Sequence, residues 1–265
     1  MRQVYDTPDG LEVAVHVGAG DIDVDVRDTA TTTVEIDGYD ADEPPTVRCE
    51  PAPGGGHRLT IEYRSKKKWF AIGRGVGIHL VVPPGTTIEG STGAADLDAN
   101  GTLEALSFKT GSGDLRFDDV SGDVDLTCAS GDVEGRSVGG HLGFKGASGD
   151  IDVGSVGAGA TVRSASGDIR IGRLDGSTII TVGSGDVTLH HVGPGSVNVR
   201  AISGDVAVAV QSGLGVWLDV SSTSGGVHSA LESDGDGAGG DVAPDLELTL
   251  NTVAGDITID RAGGR

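Results

Sequence analysis

Aromatic residues are scarce in this chain: Phe, Tyr and Trp together number nine among 265 residues. A core with so few large rings has to be built from Val, Ile, Leu and Ala, which suit thin, closely spaced layers of β-sheet. Cysteine is also rare, because only Cys49 and Cys128 are present, far apart and outside any CxxC or paired-His pattern. This spacing argues against a disulfide framework or a zinc site and indicates two reduced thiols.

Positive charge is in short supply as well. The chain has 19 Lys and Arg residues against 40 Asp and Glu residues, which gives a net charge of -21. A field of this sign repels the phosphate backbone, so we expect no nucleic-acid partner. No run of about 18 apolar residues occurs, and the N-terminus lacks an apolar signal region. These two absences predict a cytoplasmic protein.

Glycine, by contrast, is abundant, with 46 residues and no Gly-X-Y period. Hydrophobic residues make up 37% of the chain, and Val and Ile recur in alternation. These features favour a folded chain of one elongated or two compact domains over collagen or disorder. Aspartate outnumbers glutamate by 30 to 10, which is typical of a chain with many turns because the short Asp side chain bonds nearby backbone amides.

A repeat organises the middle of the sequence. The phrase Ser-Gly-Asp, or a close variant, places aspartates 18 residues apart from Asp96 to Asp186, and the series continues at Asp205 and in a degenerate form at Gly226. Apolar residues follow Asp114, Asp150, Asp168 and Asp186 at offsets of one, three and six, as in Ile151, Val153 and Val156. Nine residues later the same offsets give a second apolar set, for example Val124, Leu126 and Ala129; Leu142, Phe144 and Ala147; Ala160, Val162 and Ala165; and, after one inserted residue, Val197, Val199 and Ile202.

A period of this kind with alternation inside each half predicts the fold. We expect an all-β, parallel β-solenoid, a two-sheet β-helix or roll of about 18 residues per coil, in which each coil adds one rung to each sheet. Residues 1–90 contain alternating strand-like segments and predict a β-rich N-terminal cap continuous with the coils. Residues 91–265 then form the solenoid repeats, with an acidic loop at 232–244 and C-terminal closing strands.

The Ser-Gly-Asp phrase is predicted to form a corner between strands. Stacked corners would place the carboxylates about 4.8 Å apart, which is costly unless each one accepts backbone hydrogen bonds, stays hydrated or shares a cation. Calcium-binding rolls need glycines alternating before the aspartate, and "SGDIDVGSV" lacks that spacing. Capping of backbone amides is therefore the favoured interpretation, and we predict no metal and no cofactor.

No catalytic constellation is evident, and the nearly uniform corner lengths provide no loops for a cleft, so we predict that the protein is not an enzyme. One segment opposes the acidity of the rest: "RSKKKWFAIGRG" at 64–75 holds five of the 19 basic residues and two of the nine aromatics. It could dock on an anionic membrane surface or a protein partner, or it could be a hairpin loop whose aromatics cover the end of the core. The candidate docking residues are Arg64, Lys66, Lys67, Lys68, Trp69, Phe70 and Arg74.

Several of these phrases together resemble a known family. The serial "SGDV" and "SGDI" phrases, the opening "VGAGDIDVDV", the basic tract before "GIHLVVPPGT" and the final "VAGDITI" are similar to the bacterial "putative-adhesin" or "toastrack" family of β-strand-repeat proteins. The resemblance implies a shared β fold and an association of some members with membrane-stress systems.

We therefore expect a non-enzymatic scaffold or interaction module linked to membrane-stress or cell-envelope processes. The protein would be a monomer or a weak homo-oligomer. The alternatives are a polysaccharide-binding or sugar-acting β-helix, which would need aromatic platforms on one face, and a self-polymerising filament protein, which would need two uncapped ends.

Overall fold

A computed structural model describes residues 1–63, 75–231 and 243–263. Throughout these ranges, segments of alternating apolar and polar residues form strands. Within these ranges there are 23 strands and no helix. Contacts divide the chain into an N-terminal unit, Met1–Gly139, and a C-terminal unit, Gly140–Arg265. The division into a cap at 1–90 and repeats at 91–265 stays a prediction.

The N-terminal unit contains eleven strands. They are β1 (Arg2–Asp6), β2 (Leu11–Val26), β3 (Thr31–Asp37), β4 (Thr46–Pro51), β5 (His57–Tyr63), β6 (Val76–Val82), β7 (Thr87–Leu103), β8 (Ala105–Ser112), β9 (Leu115–Val120), β10 (Val124–Ser130) and β11 (Val133–Val138).

Two parallel ladders make up most of this unit. Ladder A runs β5, β2, β7, β8, β10, and ladder B runs β6, β2, β7, β9, β11. The long strands β2 and β7 pass round a corner and belong to both ladders. At one edge, β4 pairs antiparallel with β5, β3 pairs antiparallel with β6, and β1 pairs antiparallel with β3. These antiparallel strands cover backbone groups that would otherwise be an open edge.

The C-terminal unit contains the remaining twelve strands. They are β12 (Leu142–Ser148), β13 (Ile151–Val156), β14 (Ala160–Ser166), β15 (Ile169–Leu174), β16 (Thr178–Ser184), β17 (Val187–Val192), β18 (Gly195–Ser203), β19 (Val206–Val210), β20 (Val216–Ser224), β21 (Val227–Ser229), β22 (Leu246–Ala254) and β23 (Ile257–Arg261).

The C-terminal unit also consists of two parallel ladders, and their order departs from chain order at one end. Ladder C runs β12, β14, β16, β18, β22, β20, and ladder D runs β13, β15, β17, β19, β23, β21. The last coil in the sequence, β22 and β23, is thus inserted between the two coils that precede it. Each unit is a parallel β-solenoid, so the predicted fold class is confirmed.

The apolar core follows the predicted offsets in the strand after each corner aspartate. In ladder D, for example, Ile151, Val153 and Val156 are at most 1% exposed, and the residues at the same offsets in β15 and β17 are equally buried. The aromatic residues Phe117 and Phe144, which lie at offset three in their strands, are also buried.

The second strand of each coil departs from the prediction. Cys128, Ser164 and Ala201 are buried at offset five, whereas the residues predicted at offset six, Ala129, Ala147, Ala165 and Ile202, are exposed. In the first strand of a coil, two consecutive residues point outward before the last buried position. The second strand has no such pair, so buried and outward residues alternate along its whole length. The two halves of a coil are therefore not identical.

Candidate functional site

The corner aspartates form hydrogen-bonded columns in each unit. In the N-terminal unit, Asp96 and Asp114 accept the backbone N–H of the next corner aspartate through Oδ1 at 2.8 and 3.0 Å. In the C-terminal unit the donor–acceptor distances between successive corner residues lie between 2.7 and 3.0 Å, and the acceptors are Asp150, Asp168, Asp186, Asp205 and Asp256. The carboxylates therefore cap backbone amides, and that interpretation of Ser-Gly-Asp is confirmed.

The glycine of each corner has a steric reason. Gly185 has φ of 141°, and a Cβ atom there would overlap the carbonyl oxygen of Gly167 on the neighbouring rung. Gly226 occupies the aspartate position in the rung of β20 and β21, and its N–H donates to Asp256 Oδ1 at 2.7 Å. Among the described residues no further rung stacks on this one, so the position has no amide to cap and does not need a carboxylate.

The residues predicted for surface docking lie outside the described residues. These are Arg64, Lys66, Lys67, Lys68, Trp69, Phe70 and Arg74, between the end of β5 and the start of β6. Their docking role stays a prediction. In the part of the chain that the structure describes, no three His, Cys, Asp or Glu side chains are grouped to hold a metal ion, and no helix is long and apolar enough to span a membrane.

Ion pairs neutralise most of the described cations outside ladder C. Arg116 contacts Asp114 at 3.2 Å and Glu134 at 3.6 Å. Arg170 Nη2 lies 2.6 Å from Asp168 Oδ2. Its carboxylate partner is thus the corner aspartate, although Asp152 lies opposite it in the ladder register. Ladder D also holds Arg173, whose Nε is 3.0 Å from Asp175 Oδ2.

Ladder C of the C-terminal unit has exposed cations without ion-pair partners among the described residues, in contrast to Arg170 and Arg173 of ladder D. Strands β12, β14, β16 and β18 contain Lys145, Arg163 and Arg200 and no aspartate or glutamate. All three cations are exposed, and none has an ion pair or hydrogen bond to another described residue. Register places Lys145 beside Arg163, and Thr181 separates Arg163 from Arg200. We call these three residues the basic face.

A groove of about 510 Å³ lies beside the basic face. Its lining includes Arg200, Asn198, Ile179, Thr161 and His141, together with small residues of the preceding corners. The His141 ring Nε2 is 3.1 Å from Thr161 Oγ1. Asn198 Oδ1 is buried and has no hydrogen-bond partner, and the Ile179 side chain is 49% exposed.

The two cysteines are both free thiols, as predicted. Cys128 is completely buried, whereas Cys49 is partly exposed. Burial raises the pKa of the Cys128 thiol above its ordinary value of 9.0, and the carboxylates of Asp114 and Asp132 act in the same direction. Burial also raises the pKa of Cys49. Raised pKa values keep both groups as unreactive thiols at neutral pH.

A comparison with protein-family profiles assigns the repeats to a family. The profile of the toastrack family DUF4097 matches residues 12–260. The chain belongs to the toastrack family. The family resemblance predicted from the repeat phrases is therefore confirmed.

One solved structure shares the fold of this toastrack chain, and a second one matches it with a lower score. One, described as a "putative lipid binding protein" from Parabacteroides distasonis, is 17% identical with a TM-score of 0.53, over 98% of this chain and 96% of that chain. Another, described as a "putative adhesin" from Bacteroides fragilis, is 12% identical with a TM-score of 0.40, over 98% and 96% of the two chains. A comparison with curated proteins finds no match.

Sequence reasoning missed the basic face of this toastrack chain. The three cations are 18 and 37 residues apart and form no motif in the linear sequence. Their common feature is an outward position in the second strand of a coil, where no acidic residue occurs in four successive strands. A table of outward residues by strand would have found them.

Proposed function

We propose that this toastrack protein is a non-catalytic interaction module that binds an anionic partner with the basic face of its C-terminal unit. The observation that supports the proposal is the contrast between two ladders of one unit. Arg170 and Arg173 of ladder D have carboxylate partners at 2.6 and 3.0 Å, while the three cations of ladder C have none among the described residues. Although the chain has 40 acidic residues, none of them lies in strands β12, β14, β16 or β18.

The charge distribution favours binding over solubility as the role of this face. The net charge of -21 favours solubility. The three cations of the basic face lower the magnitude of that charge, so solubility does not explain them. A local positive surface attracts an anionic partner and orients it, while the surrounding negative surface repels partners that approach elsewhere. Such a face therefore supplies selectivity for where the partner docks.

The fold supports the same role because it holds the cations at fixed spacing. Within ladder C, β14 with Arg163 and β18 with Arg200 each pair with a neighbouring strand on both sides. The alternate residues of these strands are buried in the core. Rigid strands lose little conformational entropy when a partner binds.

A charge-removal experiment tests the proposal. The triple variant Lys145→Gln, Arg163→Gln, Arg200→Gln should lose binding to immobilised polyglutamate and to an acidic polysaccharide at low salt. The matched control, Arg170→Gln with Arg173→Gln, removes two cations from the paired ladder and should retain binding to both. No binding by the unaltered protein to any polyanion, or equal losses in the two variants, would contradict the proposal.

A second candidate function rests on the basic and aromatic tract at 64–75. Three consecutive lysines next to Trp69 and Phe70 suit an anionic membrane surface, where each lysine contributes about 1 kcal/mol. Such docking would connect the protein to the cell-envelope processes that the family resemblance suggests. We expect cosedimentation with phosphatidylglycerol vesicles to be lost when Lys66, Lys67 and Lys68 are changed to Gln. Retained vesicle binding by this variant would refute a role for the tract.

A further inference from the structure

The outer rung of the C-terminal unit, formed by β20 and β21, leaves its strand edges uncovered in the described chain. Among the described residues, β20 pairs only with β22, and β21 pairs only with β23. One side of each strand therefore has backbone N–H and C=O groups that no described strand pairs with. Such groups form a template for the addition of another strand.

The same rung exposes apolar residues that are buried in every neighbouring coil. Leu218 is 37% exposed and Val227 is 45% exposed. Their neighbours in the register, Leu248 and Ile257, are completely buried. The difference arises because β22 and β23 have a rung on each side, whereas among the described residues β20 and β21 have a rung on one side only. The outer rung thus presents an apolar strip between two strand edges.

The edge strands lack the usual protection against pairing. Natural edge strands are commonly short, or contain lysine, proline or a bulge. Strand β20 has nine residues without Lys or Pro, and its register with β22 is unshifted. Its only charged side chain is Asp219, and β21 consists of Val227, His228 and Ser229. A chain of net charge -21 therefore has a nearly uncharged edge at this rung.

The ladder ends of the N-terminal unit differ from this rung. Strand β4 lies antiparallel beyond β5 in ladder A, while β3 and then β1 lie antiparallel beyond β6 in ladder B. Ladder A is thus extended by one strand and ladder B by two, so their outermost strands are not level. They do not match β20 and β21, which belong to one rung, and this argues against a head-to-tail filament.

A partner that covers the outer rung has to supply two strand edges at once. Because a coil returns to its start, its two strands run in opposite directions, in sheets about 10 Å apart. One extended peptide covers only one of these edges and leaves the other edge and the apolar strip exposed. A second copy of the same rung supplies both edges, because a two-fold axis normal to the sheets places β20 antiparallel to β20 and β21 antiparallel to β21.

Two residues favour such an antiparallel partner over a further parallel coil. Gly226 occupies the corner position at which an aspartate would cap the amide of a parallel rung, and an antiparallel partner places no such amide there. In an antiparallel pair centred on Val220, Asp219 of one copy lies opposite Ser221 of the other. The two carboxylates therefore do not face each other across the pair.

We propose that the protein forms a two-fold symmetric dimer in which the outer rungs of two C-terminal units pair β20 with β20 and β21 with β21. The nine residues of β20 span about 30 Å, and two sheets with their side chains are about 20 Å wide. Pairing of the two rungs then buries about 1,200 Å² in total, at the lower limit of specific interfaces. We therefore expect a weak dimer with a dissociation constant in the micromolar range.

Sedimentation velocity at micromolar concentrations tests this inference. Leu218→Lys and Val227→Lys each place a charge in the apolar strip and should weaken dimerisation at least about tenfold. The matched control, Ile202→Lys, changes a side chain that is 64% exposed on β18, a strand with neighbours on both sides, and should leave dimerisation unchanged. Because two chains of net charge -21 repel each other, added salt should strengthen the dimer, whereas it should weaken binding of polyanions to the basic face.

Hydrogen exchange supplies a second readout, since the amides of β20 should exchange more slowly as protein concentration rises. A monomer at every concentration and salt level would overturn the inference, and protected β20 amides in that monomer would assign the edge to another segment of the chain. Unchanged dimerisation of Leu218→Lys and Val227→Lys, with circular dichroism spectra like that of the unaltered protein, would overturn it as well. A loss in Leu218→Lys alone would indicate pairing through a single strand and refute the two-edge arrangement. None of these outcomes affects the proposed function of the basic face.

Discussion

Removal of one corner carboxylate should destabilise the protein by an amount that its hydrogen bonds determine. Asp168 lies within a column, where its N–H donates to Asp150 Oδ1 at 2.8 Å and its own Oδ1 accepts the N–H of Asp186 at 3.0 Å. Its Oδ2 accepts from Arg170 Nη2 at 2.6 Å. Asp168→Ala deletes both interactions of the carboxylate and leaves the backbone donor of Asp186 without its partner.

The expected magnitude follows from the exposure of the site. A hydrogen bond to a charged group contributes about 1.5–3 kcal/mol, and an exposed ion pair adds about 0–1 kcal/mol. The Asp168 side chain is 33% exposed, so water replaces part of the lost bonding. We expect Asp168→Ala to lower the free energy of unfolding by about 1–2 kcal/mol. Asp168→Asn keeps an Oδ1 acceptor and relieves repulsion between stacked carboxylates, so its cost should stay below about 1 kcal/mol.

Urea unfolding followed by circular dichroism measures these differences, and Asp152→Asn provides an exposed control that should change stability by less than about 0.5 kcal/mol. The amide-capping interpretation would be wrong if Asp168→Ala were as stable as the control. It would also fail if Asp168→Asn were as unstable as Asp168→Ala, because charge rather than acceptor geometry would then matter. In that case a cation should be sought, starting with whether millimolar calcium raises the melting temperature more than magnesium does.

Three further predictions address packing and titration. Gly185→Ala should lower the free energy of unfolding by more than about 2 kcal/mol, because φ is positive and the added Cβ overlaps backbone. Gly226→Ala should be nearly neutral in the same unfolding assay, because the atom nearest to its added Cβ would be 3.6 Å away. Val153→Asp places a charge at a fully buried position and should cost at least about 3 kcal/mol, whereas Asp152→Ser should change the melting temperature little; similar losses would refute the register. The raised pKa of the buried Cys128 thiol means that the folded state holds its proton more tightly than the unfolded state, so its contribution to stability is complete below about pH 9 and is lost as pH rises further. Unfolding titrations of the unaltered protein and Cys128→Ala between pH 8 and 10.5 should therefore diverge at high pH, and parallel curves would contradict this linkage.

Part of the fold was predictable because burial acts on residues at fixed local spacing. The interval between corner aspartates and the apolar offsets of one, three and six specified the coil and the inward residues of its first strand. The same local reasoning failed in the second strand, where Cys128 is buried and Ala129 is exposed. Whether two consecutive residues point outward depends on where the backbone bends, and the small, alternating residues of this segment do not specify that bend.

Long-range contacts determined the features that sequence reasoning did not find. The coil at 246–261 lies between coils that precede it in the chain, because strand order at an end depends on which edge is free rather than on adjacency in sequence. The candidate site depends on the same kind of contact. His141, Thr161 and Ile179 come from three separate coils, and Asn198 and Arg200 share a fourth. Only the stacking of those coils brings a histidine, an exposed isoleucine and an unpaired guanidinium into one groove. By itself the sequence determined the length of each coil and the inward residues of its first strand, and the tertiary structure decided which coils became neighbours and therefore which side chains share a surface.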